Sequence, residues 1–428
     1  MEDDRWRKKH RDENWIWIDN SLCLFTVLCS LNSKETMFAM PRFSYHVYHL
    51  ETPISPLSDR WKKRLPLARH MSGGNHAEIY MSYGEYFDAA RSFFERDGCD
   101  MLCLALTRRL EQTITPGDLR EIRIILEKHG EFYHPARIET TLGGQTFCFV
   151  LNIALSESGN RHIKDEYHNL KKLNDEFAVS FLPRVYVFGD IDFQEKRNIR
   201  MFLGDWFEGY HEFHLSRDTS DNQFKIRVWD DENGRFFLNS EQTTTLYTQA
   251  AKIMTYYYNV QTFEHISAWH HAAGDFVVKL DQGGLDVKLI SVRKYTPLFQ
   301  DVNDQDHAVE NAKLVLQALL IFFLNLSIKM RLDRIDGIGD FVWSDPWVAQ
   351  TTVAGVFEGL AQKRAVPSLP DSISLCFKTY LSICTRDDLL ELSEFLVSTY
   401  NLSKPETAVI KKHLSEHVQS LYQAVREF

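Results

Sequence analysis

The segment Ala268-Trp269-His270-His271-Ala272-Ala273-Gly274-Asp275-Phe276 sets two imidazoles and a carboxylate close together, just ahead of an apolar run. Groups of this kind can accept, hold or pass a proton. On residue types alone, an aspartate that opens a strand is also an ordinary turn residue. A second feature lies downstream, where Arg293 and Lys294 end the next apolar run. Paired cations there could hold a phosphate or another anion directly, or could be solvated strand-end residues. The third is Asp333-Arg334-Ile335-Asp336-Gly337-Ile338-Gly339-Asp340, with Asp345 nearby. Carboxylates around glycines could ligate calcium or magnesium, but the spacing is not that of a helix-loop-helix calcium loop, and capping aspartates in a helix-ending loop explain it as well. No Ser-His-Asp, Cys-His or His-Glu-x-x-His arrangement can be read from the chain.

The scaffold around these residues has ordinary globular composition. Apolar residues make up 44% and charged residues 25% of 428 positions, which argues against extensive disorder and for two or three domains. The formal charge of −10 argues against nucleic acid as the main partner and leaves a small molecule or a protein. Seven scattered cysteines, none in a Cys-x-x-Cys pair, indicate reduced thiols and a cytoplasmic protein rather than a disulfide framework or a zinc knuckle. Residues 5–11 are basic and 21–31 largely apolar, the layout of a secretion signal. Asp19 and Asn20 interrupt it, however, and a start at Met40 or Met71 fits the composition better. The apolar run 314–326 is short and carries Gln317 and Asn325, so it is expected to be a buried helix and not a membrane span.

Along the chain, residues 1–71 mix prolines with basic residues and read as a tail or linker. Helical spacing over 77–95, and again over 119–128 after the turn Thr115-Pro116-Gly117-Asp118, predicts a helical preface at 72–130. Strand signals follow over 132–139 and 146–155, separated by Gly143-Gly144, and a helix is expected over 163–173. Further strands are expected at 184–188 and 200–205, and a polar hairpin insertion near 224–238 turning at Glu232-Asn233-Gly234. A helix over 243–260 precedes two strands, 275–280 and 287–293. Beyond Asp306 the pattern is helical, apart from loops near Gly337 and Pro367.

This order of elements resembles the kinase-like fold, particularly its aminoglycoside and choline phosphotransferase branch, over residue 131 to the end. The resemblance implies an α+β, two-lobed fold, with an antiparallel-sheet small lobe and connector at 131–210, a mainly helical large lobe at 211–428, and a helical N-terminal extension. It also implies ATP as cofactor, with magnesium, and transfer of phosphate to a small-molecule or protein hydroxyl. Gly143 and Gly144 would sit at the phosphate-covering turn. Glu166 resembles the acidic residue that holds the family lysine. Asp205 and Trp206 fall in the connector, whose backbone could meet an adenine edge. Asp275 matches the proton-accepting aspartate, with His270 and His271 standing in for a histidine whose own position is Ala273.

The departures from the family pattern are as informative. The strand Phe147-Cys148-Phe149-Val150-Leu151-Asn152-Ile153-Ala154-Leu155 lacks the lysine that neutralises nucleotide phosphates, and Asn152 cannot supply its charge. Val277-Val278-Lys279-Leu280 offers no asparagine for magnesium, and Leu289-Ile290-Ser291-Val292-Arg293 has Ser291 where a metal-binding aspartate is expected. Arg293 instead brings positive charge to the place where an anion would bind. Two functions therefore compete: an atypical phosphotransferase, or an inactive pseudokinase that binds a nucleotide or a partner. No metal ligand set is assigned, and neither nucleic acid nor a membrane is expected as a partner.

Overall fold

The computed structural model describes residues 41–66, 81–130, 132–193, 197–230, 233–267, 269, 274–282, 284–299, 311–337, 339–401 and 404–428. The histidines His270 and His271, both alternative start residues and the basic and apolar N-terminal runs lie outside them. The chain divides into two compact units, Met1–Glu157 with Tyr186–Leu203, and Ser158–Val185 with Gly204–Phe428.

The first unit contains β1 (Arg42–Val47), α1 (Asp59–Lys62), α2 (Tyr83–Glu95), α3 (Asp100–Leu110), β2 (Glu121–Leu126), β3 (Ala136–Leu142), β4 (Gln145–Ala154), β5 (Val185–Phe193) and β6 (Arg197–Asp205). Its strands form one sheet in the order β1-β2-β3-β4-β6-β5. β1 runs parallel to β2, while β2 with β3 and β3 with β4 are antiparallel. Ile122, Ile124, Ile138, Phe149, Leu151 and Ile153 bury their side chains in one core with Tyr86, Phe87, Phe93 and Phe94 of α2. α2 starts at a reciprocal capping box between Ser82 and Glu85, inside the span 77–95 expected to be helical.

Two sequence expectations change here. Residues 119–128 are not helical: Glu121-Ile-Arg-Ile-Ile-Leu makes β2, whose alternating Ile122, Ile124 and Leu126 are buried between β1 and β3. Nor are 72–130 a separate helical preface, because α2 and α3 share their core with the sheet and β2 is one of its strands.

The second unit contains α4 (Glu157–Glu176), β7 (His211–Arg217), β8 (Phe224–Trp229), β9 (Phe236–Phe237), α5 (Ser240–Tyr256), β10 (Glu264–Ile266), β11 (Phe276–Asp281), β12 (Gly284–Leu289) and β13 (Tyr295–Pro297). It continues through α6 (Ala312–Met330), β14 (Leu332–Arg334), β15 (Phe341–Trp343), α7 (Trp347–Leu360), α8 (Ile373–Ile383), α9 (Arg386–Ser398) and α10 (Pro405–Glu427). A five-stranded sheet has the order β12-β11-β7-β8-β9. The stretch 224–238 is thus built into this sheet through β8 and β9 instead of standing apart as an insertion. The region after Asp306, read as helix and loop, also holds the three-residue strands β14 and β15.

α5 holds this unit together on two sides. Its Gln249 side chain donates to Leu285 O at 2.6 Å and accepts from Val287 N at 3.1 Å, pinning β12. On the other side α7 approaches so closely that a Cβ at Gly355 would fall on the Thr248 carbonyl and within 2.8 Å of Ala251 Cβ. Among the described residues α6 is the one helix long and apolar enough to cross a membrane, and Leu319, Phe323, Leu324 and Ile328 along it are fully buried in the protein.

Candidate functional site

Antiparallel pairing of β11 with β12 fixes the site. Register runs from Asp281↔Gly284 to Phe276↔Leu289, so the residue before β11 faces the residue after β12. Ile290 N accordingly donates to Asp275 O at 2.8 Å. Past this point Ser291, Val292 and Arg293 leave the ladder, and α4 catches them. Asn169 Nδ2 donates to Val292 O at 3.1 Å, and Val292 N donates to Glu166 Oε1 at 3.3 Å. With its neighbour held at both backbone groups, Arg293 turns back on Asp275: Nη1 donates to Oδ2 at 3.2 Å and Nη2 to Oδ1 in a shorter contact.

Both carboxylates involved are interior. Asp275 is 1% exposed and Glu166 is 2% exposed. Glu166 lies on the same face of α4 as the buried Ile163, Leu170 and Leu173, so it is not a solvated helix carboxylate. A buried carboxylate without compensation costs several kcal/mol, and the two-point guanidinium contact supplies that compensation for Asp275. Burial pushes the His162 imidazole, on α4, below its ordinary value, and repulsion from Lys294, Arg161 and Arg293 pushes it further, against the pull of Asp165.

The other sequence-marked residues fall elsewhere. Gly143 and Gly144 belong to the first unit, where both have positive φ (57° and 86°) in the open turn from β3 to β4, with nothing near their absent side chains. Asp205 belongs to the second unit and is tied to Arg184, accepting its N–H on Oδ2 at 3.3 Å and donating its own N–H to Arg184 O at 2.9 Å. Trp206 is half-buried beside it in sequence. Further along the connector, Phe207 and Tyr210 pack ring to ring at 5.5 Å, and Tyr210 donates its hydroxyl to Asp286 on β12. Lys279 sits over the Tyr210 ring at 5.8 Å, and Lys164 is exposed.

The acidic stretch after α6 serves the loop it belongs to. Ser216 Oγ donates to Asp336 Oδ1 at 2.5 Å, Asp336 N donates to Leu215 O at 2.8 Å, and Ile335 N donates to Asp340 O at 3.1 Å. Asp333 accepts the N–H of Arg334, and burial raises its carboxyl to about 7. Among the described residues no three His, Cys, Asp or Glu side chains are placed to hold a metal. Among the described residues the arrangement around Asp275 does not fit magnesium either: its two oxygens bond a guanidinium, and Ser291, where the sequence resemblance led to the expectation of a carboxylate, has none.

The sequence marked Asp275, Glu166 and Arg293 separately but not their convergence, and it did not mark Asn169 at all. Equal hairpin arms were the signal available. A six-residue β11 and a six-residue β12 put 275 opposite 290, and a residue three further on can fold back.

No protein-family model matches the chain, and no curated protein matches it. Among solved structures the chain is similar to one described as "WaaP in complex with acyl carrier protein", at 9% identity and a TM-score of 0.25, covering 62% of this chain and 86% of that one.

Proposed function

We propose that the protein is a kinase-like-fold binding module, a pseudokinase that engages a nucleotide or a protein partner without transferring phosphate. The order of elements supports the kinase-like part of this reading. Antiparallel β3 and β4 lead into α4, then β5, β6, the connector, the long α5, the β11–β12 hairpin and a helical remainder. A single observation carries the inactive part: the side chain that should act as base is buried and bonded through both oxygens to Arg293. With both oxygens engaged by the guanidinium and the residue 1% exposed, this carboxylate is not presented to a substrate hydroxyl. Asn152 in β4, where a lysine would neutralise phosphates, and Ser291, where a metal ligand would stand, point the same way.

A thermal-shift titration with ATP tests this reading. Bound ATP at a hundred times its dissociation constant adds roughly 2.7 kcal/mol. The expected result is the same midpoint shift in magnesium and in EDTA, with no ADP formed. A shift that requires magnesium, accompanied by turnover, would instead support the atypical phosphotransferase.

A further inference from the structure

The five-stranded sheet ends at β9, and its last two strands carry a pattern that neither the core nor the site at Asp275 uses. Ile226 and Val228 of β8 are buried in the core, so Arg227 and Trp229 stand on the opposite face. The register Arg227↔Phe237 puts a ring across from Arg227, and one step further along the same pairing Arg235 stands across from Trp229. The two guanidiniums therefore occupy the diagonal of a four-residue square, a separation that long side chains span. Each rests on an aromatic face, with Arg227 Cζ 5.6 Å from the centre of Phe237 and Arg235 Cζ 4.7 Å from that of Trp229. Neither has a carboxylate partner among the described residues. The carboxylates nearby are engaged elsewhere: Asp218 and Asp221 on Lys225, Asp230 on Asn233, and Glu212, opposite Trp229 on β7, 3.8 Å from His214 Nε2. Arg227 Nε and Trp229 Nε1 find no protein acceptor either.

The sheet edge beside this square is open at one residue. Leu238 N donates to Ile226 O at 2.9 Å, so 238 and 236 turn their backbone groups toward β8, and Phe237 between them turns its own N–H and C=O away from the sheet. An extended chain laid along β9 pairs with those two groups and sets alternate side chains on the face of Arg227 and Arg235. Two guanidiniums without a carboxylate match a group of about two negative charges and three acceptor oxygens, which a phosphorylated side chain supplies and a single carboxylate does not. We propose that the β8–β9 edge is a docking site for an extended phosphorylated segment of a partner protein, its phosphate held between Arg227 and Arg235 and its backbone bonded to Phe237. The inference stands on this edge and not on the kinase-like reading above, which concerns Asp275 and ATP.

The probe is a mixture of heptapeptides with phosphoserine, phosphothreonine or phosphotyrosine at the centre and all flanking positions varied, passed over the immobilised full chain. A matched mixture carries glutamate at the centre. Wild type should retain the phosphorylated mixture about tenfold or more above the glutamate one, the difference expected of one further charge-assisted bond. Arg227→Gln and Arg235→Gln should each lower that retention about tenfold or more. Arg235 is exposed, so its variant should keep the wild-type melting midpoint and carries the test even where Arg227→Gln unfolds. Phe237→Pro removes the outward N–H at an edge position that tolerates proline, and it should abolish retention as well. Wild type that retains nothing, equal retention of the glutamate mixture, or retention unchanged in Arg235→Gln would each overturn the proposal. So would a Phe237→Pro chain that binds as wild type does. Phosphate transfer from ATP by wild type would sink the functional reading without touching this readout, so the two fail separately.

Discussion

Replacing Gly355 by alanine tests how the helical part of the second unit is assembled. A glycine in the middle of a helix ordinarily gains about 1 kcal/mol on becoming alanine. In α7 the new Cβ would fall on the Thr248 carbonyl of α5, 2.8 Å from Ala251 Cβ and 3.0 Å from Lys252 N. Two of these three atoms are backbone, so no side-chain rotation clears them and the helices must move apart. Overpacking of this kind costs about 1–3 kcal/mol, and rigid backbone neighbours put it at the upper end. Net of the propensity gain, the variant should lose about 2 kcal/mol, a fall in the unfolding midpoint of roughly 4–8 °C for a unit of this size. The same displacement would reach β12 through Gln249. Differential scanning calorimetry of wild type and Gly355→Ala measures it directly. An unchanged or raised midpoint would refute the close packing of α5 on α7.

Buried histidines set an acid limit. Burial holds His134 and His417 down to about 3, far below the ordinary value of 6.5, so both stay neutral in the fold. The unfolded chain takes up protons below pH 6.5 that the fold refuses; their contribution is therefore complete above 6.5 and lost as pH falls toward 3, by about 2 kcal/mol per histidine at pH 5. Asp333 works in the opposite direction from its raised value, so the clean measurement is the denaturation midpoint between pH 7 and 5 in wild type against His417→Gln, which should show the shallower acid loss. Gly337→Ala should destabilise the β14–β15 connection by about 1–3 kcal/mol, since φ is +73° and a Cβ there would meet His214 Nδ1 at 2.6 Å; an unchanged midpoint would contradict that geometry.

What the sequence disclosed follows from how local each signal is. The α4 stripe of Ile163, Leu170 and Leu173, the apolar α6 and the hairpin arms around Asp281–Gly284 could be read from periodicity because neighbours along the chain decide them. β2 could not. Leu119, Ile122 and Leu126 satisfy a helical spacing while Ile122, Ile124 and Leu126 satisfy a strand, and pairing with β1, about eighty residues away, settles the choice. β14 and β15 are three residues long, too short to leave a pattern. At the site, residue types pointed to Asp275, Glu166 and Arg293, but the ion pair depends on the register of one hairpin and on the grip of α4 on Val292, and neither is a property of the residues themselves.

Phosphate release or transfer from labelled ATP by wild type and by Asp275→Asn, with magnesium and a large excess of protein, is the most direct test of the central claim. The Arg293-bound carboxylate leads us to expect identical background from both. Turnover by wild type that disappears in Asp275→Asn would contradict the account.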